Sequence, residues 1–306
     1  MSLAAILGDT ARKSWTRLSV VLDGAHFDDL QRELLIAGLE YRSLYLDEQD
    51  APALASGPHL VLISAAAQIP LVLDMVGAKP AAVWWEWPAR GGMTFDTAFK
   101  HLRSINMVEI PVSADPAARA RPGAGRDGGY EAVLFRHGDS NIMAEVLPLL
   151  DPTQRARLMG PAISVILDAP NYPGARVAVR DESWPQPAPG LLRLSPAQYA
   201  ELADAASHRS RLETLSFLRE HAAEETAELD DQQLYTQVCE AEIAGLALGI
   251  EDNEAHSLYA YMAVTSGGET LRSEQIGDAI RGSRGHPDEV VKSIFGEMIK
   301  AAEADS

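Results

Sequence analysis

The sequence predicts a layered N-terminal domain of mixed sheet flanked by helices (α/β or α+β), followed by an all-α domain. Three observations predict this. Strand-like apolar runs alternate with helix-like periods up to about residue 181; three prolines fall within Trp184–Gly190; and only helical periods follow. The proposed division is 1–183 for the layered domain, 184–194 for a Pro-rich linker and 195–306 for the helical domain. The linker assignment follows from proline, which continues neither a helix nor a central strand. Charge agrees with a boundary here: the first 189 residues carry 17 Lys+Arg against 22 Asp+Glu, while the remainder carry 9 against 22.

The first strand is the β-branched run Leu18–Asp23, closed by Gly24. Phe27, Leu30, Leu34 and Leu35 recur at helical spacing. Tyr41–Leu46 and His59–Ser64 are strands, the second entered through Gly57-Pro58, and Pro70–Val76 is a short helix with proline in its first turn. Ala82–Trp87 is a strand ended by Pro88, and Thr94–Ile105 is a helix with Phe95, Ala98, Phe99 and Leu102 on one face. Met107–Val112 and Tyr130–Arg136 are strands on either side of a Pro/Gly/Ala/Arg loop, Asp115–Gly129. Asn141–Leu150 is a helix, Ala162–Asp168 a strand and Arg176–Asp181 a last alternating strand. Beyond the linker, Ser195-Pro196 is an N-cap with proline at the first helical position. Leu234–Ile250 carries the strongest stripe, Tyr235, Cys239, Ile243, Leu246 and Ile250, and Leu258–Thr265, Ser273–Arg281 and Pro287–Ala302 complete the helical domain.

Composition bounds the function. The 306 residues are 46% hydrophobic and 23% charged, ordinary for a globular chain. The net charge of −18 repels phosphate, so nucleic acid and anionic membrane are poor partners. The one cysteine, Cys239, permits neither an internal disulfide nor a cysteine-based zinc site. The apolar start Leu3–Leu7 is too short for a signal-peptide core, and no apolar run approaches the roughly 20 residues of a membrane helix; a cytoplasmic protein is expected.

A run of short motifs spans the first 160 residues. In order they are Leu18-Ser19-Val20-Val21-Leu22-Asp23-Gly24-Ala25, Leu44-Tyr45, Gly57-Pro58-His59-Leu60-Val61 and His101-Leu102-Arg103, then Phe135-Arg136-His137-Gly138-Asp139, Leu147-Pro148-Leu149-Leu150 and Gly160-Pro161. Their order and spacing resemble the adaptor (Tap-type) chaperone family of the bacterial type VI secretion system. The resemblance covers about residues 15 to 168, with the C-terminal helices similar to the variable extension of such adaptors. It implies a non-catalytic cytoplasmic protein that holds a toxic effector by its N-terminal segment and helps load it onto the VgrG spike. It also implies that Asp23, Gly24, Gly57, Pro58, Arg136, Asp139, Gly160 and Pro161 are structural motif positions. The family's Phe-Arg-x-x-Asp motif usually has an aromatic before the Asp and a Pro after it; this chain has Gly138 and Ser140 there.

The residues themselves offer few routes to chemistry, and no cofactor is expected. Gly123-Ala124-Gly125-Arg126-Asp127-Gly128 matches a dinucleotide-binding pattern but follows a loop and precedes a strand, the reverse of what that site needs. Asp23, His26, Asp28 and Asp29 have metal-ligating types, yet their place at a strand end and helix start suits capping, and no metal is expected. Asp139 is expected to cap the helix near Asn141, and Arg136 to pair with a carboxylate. The alternative is a small hydrolase with His137 as base, oriented by Asp139 and joined by Asp23; a second is an immunity-type toxin inhibitor. No G-x-S-x-G elbow supplies a nucleophile. Trp84, Trp85 and Trp87 are either core or a partner hot spot. Arg119, Arg121 and Arg126 form the one basic cluster, a solvated loop or a dock for an acidic segment.

Overall fold

The computed structural model describes residues 2–45, 51–112, 129–187, 189–282 and 285–304. The chain divides into two compact units, Met1–Leu202 and Ala203–Ser306. The first contains α1 (Leu3–Arg12), β1 (Thr16–Asp23), α2 (Leu30–Ile36), β2 (Tyr41–Ser43), α3 (Ala51–Ser56), β3 (Pro58–Ile63) and α4 (Gln68–Val76). It continues with β4 (Ala82–Pro88), α5 (Phe95–Arg103), β5 (Met107–Pro111), β6 (Tyr130–Leu134), α6 (Ser140–Leu149), α7 (Pro152–Met159), β7 (Ser164–Ala169), β8 (Tyr172–Val179) and β9 (Leu192–Arg193). Helix α8 (Pro196–His221) crosses the boundary between the units.

Six strands form the main sheet in the order β2-β3-β1-β4-β7-β8, and every pairing in it is antiparallel. The unit is therefore α+β. Among the described residues, parallel pairing occurs only in the small sheet β6-β5-β9, between β5 and β9. The period of two sends alternate residues of the central strands to opposite faces. Val21, Val83, Trp85, Trp87, Val165 and Leu167 join one core with Phe99, Leu102 and Met143 of α5 and α6. Leu18, Val20, Leu22, Trp84 and Ile166 join the other with Leu7, Leu30, Leu34 and Val72 of α1, α2 and α4. The result is three layers with two apolar interiors.

This double burial explains the tryptophan triad. Trp84 and Trp85 are fully buried and Trp87 is 2% exposed. Trp85 and Trp87 stack with centroids 5.6 Å apart, and Trp87 Nε1 donates to Ser19 Oγ at 2.8 Å. Side chains that other protein atoms already cover cannot anchor a partner, so the hot-spot reading is corrected to core. At about 150–250 Å2 per indole, each contributes at most about 4–6 kcal/mol of transfer free energy. The one charge in this strand, Glu86, is 3% exposed and satisfied, receiving Lys13 Nζ at 2.8 Å and Ser164 Oγ at 2.6 Å.

The segment expected as a linker differs from expectation. Leu192 and Leu194 are buried in the first core, Trp184 packs against it, and β9 pairs with β5. The proline cluster interrupts regular structure without leaving the domain, and the boundary falls at Leu202/Ala203. Ser195 caps α8 as read from sequence, its Oγ accepting the Gln198 N–H at 3.3 Å.

The second unit holds the rest of α8, a short turn of helix α9 (Ala223–Thr226), α10 (Asp231–Ala247), α11 (Asn253–Thr265), α12 (Glu269–Arg272), α13 (Glu274–Gly282) and α14 (Pro287–Ala304). Its core gathers Leu218, Leu234, Val238, Tyr259, Met262, Ile280 and Val291. On α10 the buried positions are Leu234, Val238, Ala241 and Gly245, while Ile243 and Leu246 are 67% and 58% exposed. The helix thus turns the face of Leu234, Val238, Ala241 and Gly245 inward, and the stripe through Cys239 and Ile243 is not the one that packs. Asp230 and Gln233 close a capping box at its start. Among the described residues, no helix is long and apolar enough to cross a membrane.

Candidate functional site

The polar motif residues converge at one end of β1. Asp23, the strand's last residue, is 3% exposed and turns its Oδ1 to the Ala25 N–H at 3.1 Å, starting a single 3-10 turn over Gly24–His26. Its Oδ2 accepts from Arg136 Nε at 2.9 Å and stands 2.9 Å from Arg136 Nη2, so the guanidinium fork closes on one oxygen in a charge-assisted pair across 113 residues. Asp139 is 6% exposed and caps α6, its Oδ1 accepting the Asn141 and Ile142 N–H groups at 2.9 and 3.2 Å. Both roles expected from the sequence, the Arg136 ion pair and the Asp139 cap, are present.

His26 stands between Asp139 and the Arg136 guanidinium. Its Nε2 lies 3.2 Å from Asp139 Oδ2 and 3.2 Å from Arg136 Nη2. One ring nitrogen serves one of them at a time, donating to the carboxylate in one tautomer and accepting from the guanidinium in the other. Asp23, His26 and Asp139 offer ligand atoms within 4.8 Å of one another, a spacing a cation could use. The Arg136 guanidinium already stands against all three, and its fixed charge opposes a second cation there. Of the other acidic residues nearby in sequence, Asp29 caps α2 through the Arg32 N–H at 3.0 Å. The partnership of His26 with Asp139 had no sequence signal, because nothing in either segment specifies a contact 113 residues away.

Glycine admits the close approaches that assemble this end of the sheet. A Cβ on Gly24 would stand 2.1 Å from the Ala55 carbonyl oxygen and 2.7 Å from that of Gly57. The Gly24 N–H donates to Gly57 O at 3.1 Å, and Pro58 begins β3 opposite Asp23. Gly57 lies against the Tyr45 ring, and Gly138 against the Asp23 backbone. Gly160 ends α7 with φ +52, where a Cβ would meet the His101 ring at 2.2 Å; Pro161 follows it and is exposed. Motif residues His101 and Gly160 are thus two halves of one contact.

His137 does not face this cluster. It is fully buried, and its Nε2–H donates to Asn106 Oδ1 at 2.8 Å while Asn106 Nδ2 donates to Leu44 O at 3.0 Å. Burial, with His101 nearby, drives its pKa down to about 3, so the ring is neutral. His101, half-buried and donating from Nε2 to Leu158 O at 2.9 Å, falls to about 4 for the same first reason, the loss of water around the ring. His59 is likewise lowered by burial, with Nδ1–H donating to Gly57 O at 2.9 Å. His137 and Asp139 are near neighbours in sequence that serve separate networks. The basic cluster Arg119, Arg121 and Arg126 lies outside the described residues, as does its loop up to residue 128.

Residues 18–157 match the model of a domain family described as a domain of unknown function (DUF4123). No curated protein and no solved structure matches the chain.

Proposed function

We propose that the chain is an adaptor of the type VI secretion system, which holds a toxic effector in the cytoplasm and brings it to the VgrG spike without making or breaking a covalent bond. The observation that carries this reading is the family match over 18–157, a domain known in type VI secretion adaptors. That stretch contains most of the ordered motif run. The chemistry supports it. The motif carboxylates are committed to Arg136, to His26 and to helix N–H groups, and the best candidate base, His137, is buried, neutral and bonded to an amide. An adaptor needs a stable shape with surfaces for two partners. Gripping an effector segment shields it, and a further contact with the spike raises its local concentration there.

The test is co-purification from the native host with the product of an adjacent effector gene and with VgrG. The reading fails if neither is retained at micromolar concentration. Two controls separate the rivals. A hydrolase would lose turnover on His137→Gln, whereas effector capture by an adaptor survives that change in the folded fraction. An immunity-type inhibitor would rescue cells from the toxin in a strain that lacks the secretion machinery.

A further inference from the structure

Strand β8 is the outer strand of the main sheet and, among the described residues, pairs on one side only. The Arg180 N–H donates to Ile163 O at 2.8 Å, in the same register as the β7–β8 ladder. In an antiparallel ladder the bonding residues alternate. Arg176 and Ala178 therefore direct their backbone groups to β7, and Val177 and Val179 direct theirs to the open edge. The side chains of Val177 and Val179 are 44% and 60% exposed. An apolar edge whose outward donors and acceptors meet no partner among the described residues is the kind that natural sheets usually cover or blunt.

Beside the edge lies a groove of about 300 Å3, lined by Leu147, Met159, Ala178 and Trp184 and by two charged residues, both arginines, Arg155 and Arg176. Neither guanidinium has an ion-pair partner among the described residues. Arg155 donates to Pro148 O at 3.0 Å, its Nε has no partner among them, and Arg176 stacks over the Tyr172 ring at 4.8 Å. On a chain of net charge −18, a groove whose charged lining is cationic marks a place for an acidic group.

We infer that the open edge of β8 and this groove take an extended segment of a partner polypeptide, alternately apolar and carrying an acidic residue, as an added strand of the main sheet. Main-chain bonds to Val177 and Val179 supply affinity, apolar side chains fill the groove on one face, and the carboxylate meets Arg155 and Arg176. This rests on the reading that the chain works by holding another polypeptide, and it names the place where it does so.

The experiment uses the full chain and a labelled synthetic peptide of twelve residues that alternates leucine and threonine around one central glutamate. The expected results are saturable binding by fluorescence anisotropy and slowed hydrogen exchange at the Val177 and Val179 amides on binding. Val177→Pro removes the outward N–H without touching the β7 ladder and weakens binding by about tenfold. Arg155→Glu with Arg176→Glu weakens the acidic peptide by about tenfold or more and spares a glutamine version of it. The inference is overturned by absence of binding at the solubility limit of the peptide. It is also overturned by protection of other amides, or by protection of the same two that grows with protein concentration before peptide is added, which would make a second copy the occupant. Effector retention by the wild type and by Val177→Pro alike would place capture elsewhere and sink this site while leaving the adaptor reading intact; retention by neither would sink that reading, and the peptide arm would still decide the edge.

Discussion

Two neutral histidines, His137 fully buried and His101 half-buried, make the first unit sensitive to mild acid. His137 has its pKa lowered to about 3 and His101 to about 4, both chiefly by burial. In the unfolded chain each titrates near about 6.5. Because the folded values lie below the unfolded ones, the unfolded state binds protons that the native state refuses as pH falls from 6.5 toward 4. Stability from these groups is complete above the unfolded pKa and declines through that window. From pH 7 to pH 5 each ring contributes a loss of about 2 kcal/mol, so the pair removes about 3–4 kcal/mol. That is a large share of the roughly 5–15 kcal/mol typical of a domain. All five tryptophans, at 15, 84, 85, 87 and 184, lie in the first unit, so indole fluorescence in urea reports that unit alone. The expected result is a midpoint that drops steeply between pH 7 and pH 5, with the slope roughly halved in His137→Gln. A midpoint flat over that interval, or a His137 imidazole seen by NMR to titrate near 6.5, would refute the argument.

Gly24→Ala forces a methyl to within 2.1 Å of the Ala55 carbonyl oxygen, and its expected cost is about 3 kcal/mol or more, read as a fall in urea midpoint or as insoluble protein. Trp85→Ala empties a fully buried site and is expected to cost about 3–5 kcal/mol; an unchanged midpoint with lost partner binding would restore the hot-spot reading.

Periodicity exposed most of the first unit because its strands are short, β-branched and bounded by Gly or Pro. The alternation in Val83-Trp84-Trp85-Glu86-Trp87 even encodes two buried faces, and only the absence of a visible partner layer left the indoles ambiguous. What escaped depends on contacts distant in sequence. Leu192 and Leu194 belong to the first core through a two-residue strand, too short to show a period. Helix α7 follows Asp151-Pro152 with Gln154 at the third position, a capping signal that was there to be read. On α10 two apolar faces compete, and composition favours the larger; Gly245 decides otherwise, because its missing side chain lets the His256 ring approach. The motif cluster was legible as caps and an ion pair within each segment, while His26–Asp139 and His101–Gly160 are products of the fold.

That the motif residues are satisfied by one another decides what their loss should do. Arg136 is 44% exposed, but the carboxylate it serves, Asp23, is 4% exposed at the side chain. Removing the guanidinium leaves that charge buried beside Asp139 and His26, at a cost discounted for the half-exposed partner to about 1–3 kcal/mol. Arg136→Ala should therefore lower the melting temperature by several degrees, and Arg136→Lys should recover it only in part, since an ammonium cannot reproduce the fork. If the motif keeps the fold and the grip lies elsewhere, effector capture by Arg136→Ala at low temperature equals that of the wild type and fails only as the variant melts. Capture and melting followed over one temperature series settle which is true: loss of capture well below the melting transition would make Arg136 a contact residue and move the binding surface to the end of β1.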